Sequence, residues 1–311
     1  LRFKRDYRTN LPMVQLLKSR VYLYMEDWKN AVIYAKKVIE DWNFALTDLK
    51  SLSGGTYYNF VSMDCPEAVW VFGSISKYMT YLDTHVYIED PMDEEEHISV
   101  KFFNASDELL KEYVEGDLRK ENYVLLEKYK DSWGNQYNGN YLAVGKFAIN
   151  PDHNVADKQG FGHAFRLPEA YLNLAEAAAM DKDDDTALWA LNELRKTRFT
   201  EEKYKAVSGI SGEDLVERIR LERRLELCFE GHRWFDLRRY AVSMKYPEAK
   251  EITHKLYGPA VGEGVLMDNV VLKAYGEDAA WVMPIPTYEI DFNKGNMVDN
   301  EERPDRPIPL L

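Results

Sequence analysis

Between Lys128 and Tyr141 the chain runs Trp133-Gly-Asn-Gln-Tyr-Asn-Gly-Asn-Tyr141, rings alternating with amides and glycines. These residue types suit a sugar. An aromatic face stacks on the apolar face of a pyranose, and an amide both donates to and accepts from hydroxyls. Trp133, Asn135, Tyr137, Asn138 and Tyr141 are therefore candidate ligand contacts. Tyr78 and Tyr81, from an upstream stretch without helical period, join them. The same residues also describe an Asn/Gly turn with its aromatics tucked inward, and the sequence leaves both readings standing.

A second concentration of chemistry lies between Ile210 and Tyr240. Arginines (Arg218, Arg220, Arg223, Arg224, Arg233, Arg238, Arg239) are threaded with Glu217, Glu222, Glu226, Glu230 and Asp236 between large apolar residues. Arg223–Glu226, Glu230–Arg233 and Asp236–Arg239 are spaced i,i+3 and Asp214–Arg218 i,i+4, where opposite charges meet on a helix. Arg suits partly buried pairs because its planar fork bonds two carboxylate oxygens at once. The expectation is an ionic clamp between helices rather than a catalytic carboxylate pair. On that view loss of Glu230 or of Arg233 lowers the melting temperature.

Other chemistries find little footing. The histidines (His85, His97, His153, His163, His232, His254) lack metal-binding spacing, and no G-x-S-x-G, phosphate loop or dinucleotide fingerprint is present. Asp93-Glu-Glu-Glu-His97 lacks the alternation and glycine of a calcium loop and reads as a solvated run. A formal charge of −13 opposes nucleic acid and anionic lipid but accommodates neutral glycans. Cys65 and Cys228 form either one disulfide or two buried thiols. No cofactor is expected. No apolar run approaches the length of a membrane span.

These residues need a scaffold, and the chain of 311 residues is long enough for one large core. Residues 11–41 read as a helical hairpin: Pro12 sits in a first turn, Leu16, Leu17, Val21, Leu23 and Tyr24 give one apolar face, and Ala31, Val32, Ala35, Val38 and Ile39 give the other. Such a pair resembles a tetratricopeptide unit. Residues 166–197 make a second hairpin around Asp181-Lys-Asp-Asp-Asp185. Residues 67–72 are a short strand, 106–147 a loop-rich insertion on the ligand side, and 210–240 the charged helices. Beyond Tyr240 the chain reads as irregular, and 281–300 as a Pro-rich strap whose apolar residues pin it to the body.

The charged stretch also carries a resemblance. Glu222, Arg223, Glu226, Leu227, Phe229, Glu230, Gly231, Arg233, Asp236, Leu237 and Arg239 match the signature E-R-x-x-E-L-x-F-E-G-x-R-x-x-D-L-x-R-W of the SusD/RagB family, with Tyr240 in place of the usual Trp. Arg166, Glu169, Tyr171, Leu172, Ala175, Glu176 and Ala177 resemble its R-x-x-E-x-Y-L-x-x-A-E-A element. Pro284, Ile285, Pro286, Glu289, Ile290 and Asn293 resemble its closing P-I-P segment, with Lys294 where Pro is usual. Asp117 and Arg119 resemble its D-x-R element, and Lys146-Phe147 its Lys-aromatic pair.

What the resemblance implies is a mostly α fold: tetratricopeptide-like hairpins packed with further helices and long irregular loops, a SusD-like α/α superhelix in a single body. It implies a non-catalytic, lipid-anchored protein of the outer membrane, facing the exterior. Such a protein captures an oligosaccharide and delivers it to a SusC-like TonB-dependent transporter. It also implies that an export signal, a lipid-attachment cysteine and an N-terminal region would precede Leu1. The alternatives are a peptide-binding RagB-like member or a helical glycoside hydrolase.

Overall fold

The computed structural model describes residues 8–52, 60, 65–73, 85–90, 93–101, 105–130, 136–142, 146, 163–258, 265–293 and 295–305; for 85–101, 125–142, 163, 256–258 and 265–267 it describes backbone alone. The described residues are mostly helical. In chain order they form α1 (Leu11–Tyr24), α2 (Trp28–Glu40), β1 (Ala68–Phe72), β2 (His85–Asp90), β3 (Asp93–Lys101), α3 (Asp107–Glu112), α4 (Arg119–Tyr123), β4 (Leu125–Lys130), β5 (Gln136–Leu142), β6 (His163–Arg166), α5 (Leu167–Met180), α6 (Asp184–Arg195), α7 (Gly212–Glu226), α8 (Arg233–Ala241), β7 (Ile252–Gly258), β8 (Val265–Leu272) and α9 (Thr287–Phe292).

Two hairpins close by one device. α1 ends with Glu26 at φ 57°, and α5 with Lys182 at φ 68°. In each, the next amide reaches back five residues: Asp27 N to Tyr22 O at 2.9 Å and Asp183 N to Ala178 O at 2.8 Å. The second bond, Glu26 N to Leu23 O or Lys182 N to Ala179 O, completes a Schellman motif. The aspartate that receives the chain then caps the following helix. Asp27 Oδ1 accepts from Asn30 N, and Asp183 Oδ1 from Thr186 N. One residue thus ends one helix and starts the next, which turns the chain back on itself.

α5 is the axis of the body. Its alanines and leucines are buried on nearly every side, as a helix packed all round requires. Ala35 of α2, Leu174, Ala175, Ala178 and Ala179 of α5, Ala187, Ala190 and Leu191 of α6, and Leu215, Val216 and Ile219 of α7 share one core cluster. Small residues at these contacts let the helix backbones approach. A separate cluster joins Leu49, Phe60, Leu109, Tyr113, Tyr123 and Val124 to Leu225 and Cys228, tying α3 and α4 to the end of α7.

The strands pair two by two: β1 with β6, β2 with β3, β4 with β5 and β7 with β8, all antiparallel. Two of these pairs correct the sequence reading: β4 and β5 stand where 128–141 was read as a loop, and β7 and β8 where irregular chain was expected. The β2–β3 pair occupies the stretch read only as lacking a helical period. The alternation Ile98-Ser-Val100 and the run Val270-Val-Leu272 carried the missed signal. The closing segment departs too. Pro286 precedes a short helix, α9, and Met283, Tyr288 and Phe292 are exposed rather than pinned down. Trp281 is its buried anchor, with Nε1 donating to Lys273 O at 2.8 Å.

Candidate functional site

Of the candidate ligand contacts, Tyr78, Tyr81, Trp133 and Asn135 lie outside the described residues. Tyr137, Asn138 and Tyr141 lie on β5, and there the backbone is described. The register sets Tyr129 opposite Tyr137, Lys128 opposite Asn138 and Leu126 opposite Tyr141, with a bulge between Leu126 and Lys128. The aromatic and amide positions are therefore strung along one hairpin arm, with Tyr137 and Tyr141 four residues apart on an extended chain.

The charged residues are described in full, and they converge. Glu169, Asn173 and Glu176 stand i, i+4, i+7 along α5, all within 1% exposure, so one polar stripe runs inside the body. Each position is met by an arginine from another element. Arg20 of α1 grips Glu169 through Nε and Nη2, at 2.5 and 2.6 Å. Arg223 of α7 donates from Nη1 to Asn173 Oδ1 at 2.8 Å. Arg239 of α8 donates from Nη1 and Nη2 to the two oxygens of Glu176, at 2.5 and 2.7 Å. Asp236 links the last two, accepting from Arg223 Nε and Arg239 Nε at 2.9 Å each.

A second knot surrounds Glu226, which is fully buried. Arg198 donates to it from Nε and Nη2, at 2.9 and 3.0 Å, and also reaches Glu67 and Thr47 O. Arg166 bridges Glu67, Glu226 and Glu230. Lys146 Nζ donates to Glu230 Oε1 at 2.6 Å and to the Glu226 and Cys228 carbonyls, over the ring of Tyr123. Arg119 holds Asp117 through Nε and Nη2 and lies 2.6 Å from Glu222 Oε1. The D-x-R pair is thus local and also braces α7.

Burial alone would raise the pKa of these carboxylates, but the arginines outweigh it. Glu230 falls to about 2 under Arg166 and Lys146, and Asp236 to about 2 under Arg223 and Arg239. Arg198 and Arg166 hold Glu226 lower still. His232 moves down to about 4, because burial disfavours its cation. A buried carboxylate so held is a brace rather than an acid poised to give up a proton.

Partner choice corrects the helical spacing rule. Asp236–Arg239 forms, but Arg223 goes to Asp236 instead of Glu226, and Arg218 to Glu222 at 2.7 Å instead of Asp214. Glu230 goes to Lys146 and Arg166, which leaves Arg233 without an ion-pair partner among the described residues. Arg233 therefore has no place in the clamp. Gly231 has φ 81°, and Phe229 two residues before it φ 65°, a turn that carries the chain from α7 to α8. Both cysteines are free and buried. Arg198, central to the second knot, had no pattern around it to mark its role. Among the described residues no group of three His, Cys, Asp or Glu is placed to hold a metal ion.

Stacked helical hairpins, cross-braced by buried charge and carrying β-hairpin arms, define a helical-repeat scaffold. The chain belongs to the SusD family, whose model matches residues 31–302. Solved structures agree in fold. A SusD superfamily protein from Parabacteroides distasonis superposes with a TM-score of 0.65 at 16% identity, over 96% of this chain and 64% of its own. A SusD-like carbohydrate binding protein from Bacteroides vulgatus gives 0.56 at 25% identity, over 76% and 47%. Surface glycan-binding protein A from Bacteroides uniformis gives 0.60 at 18%, over 94% and 61%. The chain thus spans about half to two-thirds of the length of these structures. No curated protein matches the sequence.

Proposed function

We propose that this protein binds a glycan without turning it over, at the outer surface of the outer membrane, and passes it to a SusC-like TonB-dependent transporter. The observation that carries the reading is membership of the SusD family across residues 31–302. The β4–β5 pair supports it, because Tyr137, Asn138 and Tyr141 lie on one strand of it; Trp133 and Asn135, a few residues earlier in the sequence, belong to the proposed contacts. Tyr78 and Tyr81 complete the proposed contacts.

The buried carboxylates weigh against the hydrolase alternative. A glycosidase needs one carboxyl with a raised pKa to protonate the leaving group. Glu169, Glu222, Glu226, Glu230 and Asp236 are all moved down and are engaged by arginine. No helix among the described residues is long and apolar enough to cross a membrane.

Calorimetry on a glycan panel tests the reading. Trp133→Ala is expected to weaken binding by about 0.5–1.5 kcal/mol, the worth of an aromatic contact beyond its buried area, with an unchanged melting temperature. Unaltered affinity removes the hairpin from the site, and glycan turnover removes the non-catalytic assignment.

A further inference from the structure

Arg233 opens α8 half-buried, with no ion-pair partner among the described residues. Burial and the neighbouring Arg224 both push its pKa down. An arginine kept in such a place without a carboxylate is a cost to the fold unless something else meets it. It lines a cleft of about 610 Å³ with Arg224, Arg218 and Lys250, within the size range of ligand sites.

Beneath them lies Arg220, 5% exposed. Its Nη1 reaches Glu248 Oε2 at 3.3 Å, a long bond to a carboxylate that Lys250 holds at 2.6 Å. Its Nε and Nη2 are buried with no partner. This is the same edge of the guanidinium by which Arg20, Arg119, Arg166 and Arg198 each grip a carboxylate here. On Arg220 that edge has no hydrogen-bond partner; the guanidinium lies over the Tyr240 ring at 4.3 Å, and its charge is only partly cancelled at the wall of the cleft. A low-dielectric wall focuses such a field.

The acids of the cleft are distributed differently. Glu112, Asp214 and Glu217 are exposed and half-buried Glu248 is held by Lys250 at 2.6 Å, while Arg220 is buried and Arg233 half-buried. Exposed carboxylates repel a dense polyanion but accept hydrogen bonds from hydroxyls. Leu221 and Ile210 add apolar surface. The cleft is therefore complementary to a molecule with one carboxylate and several hydroxyls.

We propose that this cleft binds the carboxylate of an acidic saccharide, with Arg233 and Arg224 as its direct partners and Arg220 as the positive floor. The proposal rests on the glycan-binding reading and names a charge class for the ligand. Arg224 and Arg233 are free to serve because their other commitments are weak: Arg224 meets exposed Glu108 at 3.5 Å, and Arg233 has none among the described residues.

The test is calorimetry of the full chain with a trisaccharide carrying a single terminal galacturonate, with its methyl ester and with a tripeptide bearing a free C-terminus. The acid is expected to bind at least roughly tenfold more tightly than the ester, a difference of about 1.4 kcal/mol. Arg233→Met is expected to erase that preference while melting no lower than the parent, since it removes an unpaired cation. Arg224→Gln is expected to weaken the preference and serves if the first variant fails to fold. Equal binding of acid and ester, or an acid preference that survives both substitutions, overturns the proposal and leaves glycan binding intact. Binding of no glycan by the parent overturns both readings. Arg233-dependent binding of the tripeptide without the acid assigns the cleft to peptide and overturns the saccharide class.

Discussion

Arg166, the last residue of β6, holds Glu230 through Nε at 2.9 Å and through Nη2, across 64 positions of sequence. Both side chains are closed to solvent or nearly so, at 0% and 5% exposure. The same guanidinium reaches Glu67 Oε2 at 2.7 Å. One residue thereby ties the strand pair β1–β6 to the turn that separates α7 from α8.

Breaking that tie is expected to be expensive. Glu230→Ala leaves Arg166 and Lys146 short of a carboxylate inside the protein, and removing one partner of a buried pair costs roughly 3–5 kcal/mol. Urea unfolding of this variant is expected to show the loss as a lower midpoint at unchanged slope. A change under about 1 kcal/mol, the range of exposed ion pairs, would show the pair to be peripheral.

Acid is expected to unfold the protein in two stages. His232 has a folded pKa of about 4 against an ordinary 6.5, so the native state binds its proton more weakly than the unfolded chain does. Its contribution is complete above pH 6.5 and is lost as pH falls toward 4. Glu230 and Asp236 have folded values of about 2 against ordinary values of 4.5 and 3.8. Their stabilisation is present above those ordinary values and is lost as pH falls through about 2. Melting temperature against pH is expected to decline gently below 6.5 and steeply below 4.5, and His232→Gln is expected to flatten the first decline alone.

The turn between α5 and α6 places Lys182 at φ 68°, in the left-handed region and exposed. A side chain there costs about 1–2 kcal/mol, part of which glycine returns in unfolded-state entropy. Lys182→Gly is expected to raise stability by roughly 0.5–1 kcal/mol. A lower melting temperature would mean that the lysine makes a contact worth more than the strain.

Cys228 is buried, its thiol pushed up by that burial, with Tyr113 Oη at 3.4 Å. A disulfide reagent reacts with the thiolate and needs access to it. Labelling in native buffer is expected to be slow at both cysteines and to become fast in denaturant. Rapid native labelling would place one of them at a mobile surface.

The helical hairpins were legible in the residues themselves. Apolar period, the capping aspartates Asp27 and Asp183 and the alanines of α5 are local properties, set within a few residues of one another. The charge of the 210–240 stretch was legible in the same way, and so was its role as a brace between helices. Which charges meet was not. Glu230 had Arg233 at the right spacing on its own chain, but Arg166 and Lys146 arrive from far away into a buried site. There a desolvated carboxylate gains more from two cations held in place than from one at the turn between helices. The strand pairs escaped notice because their signal is short: Ile98-Ser-Val100 and Val270-Val-Leu272 span only three residues each, too few for a period to stand out. Composition thus determined the helices and the supply of charge, and tertiary structure decided the pairing, because a buried ion pair is chosen by geometry in three dimensions rather than by distance along the chain.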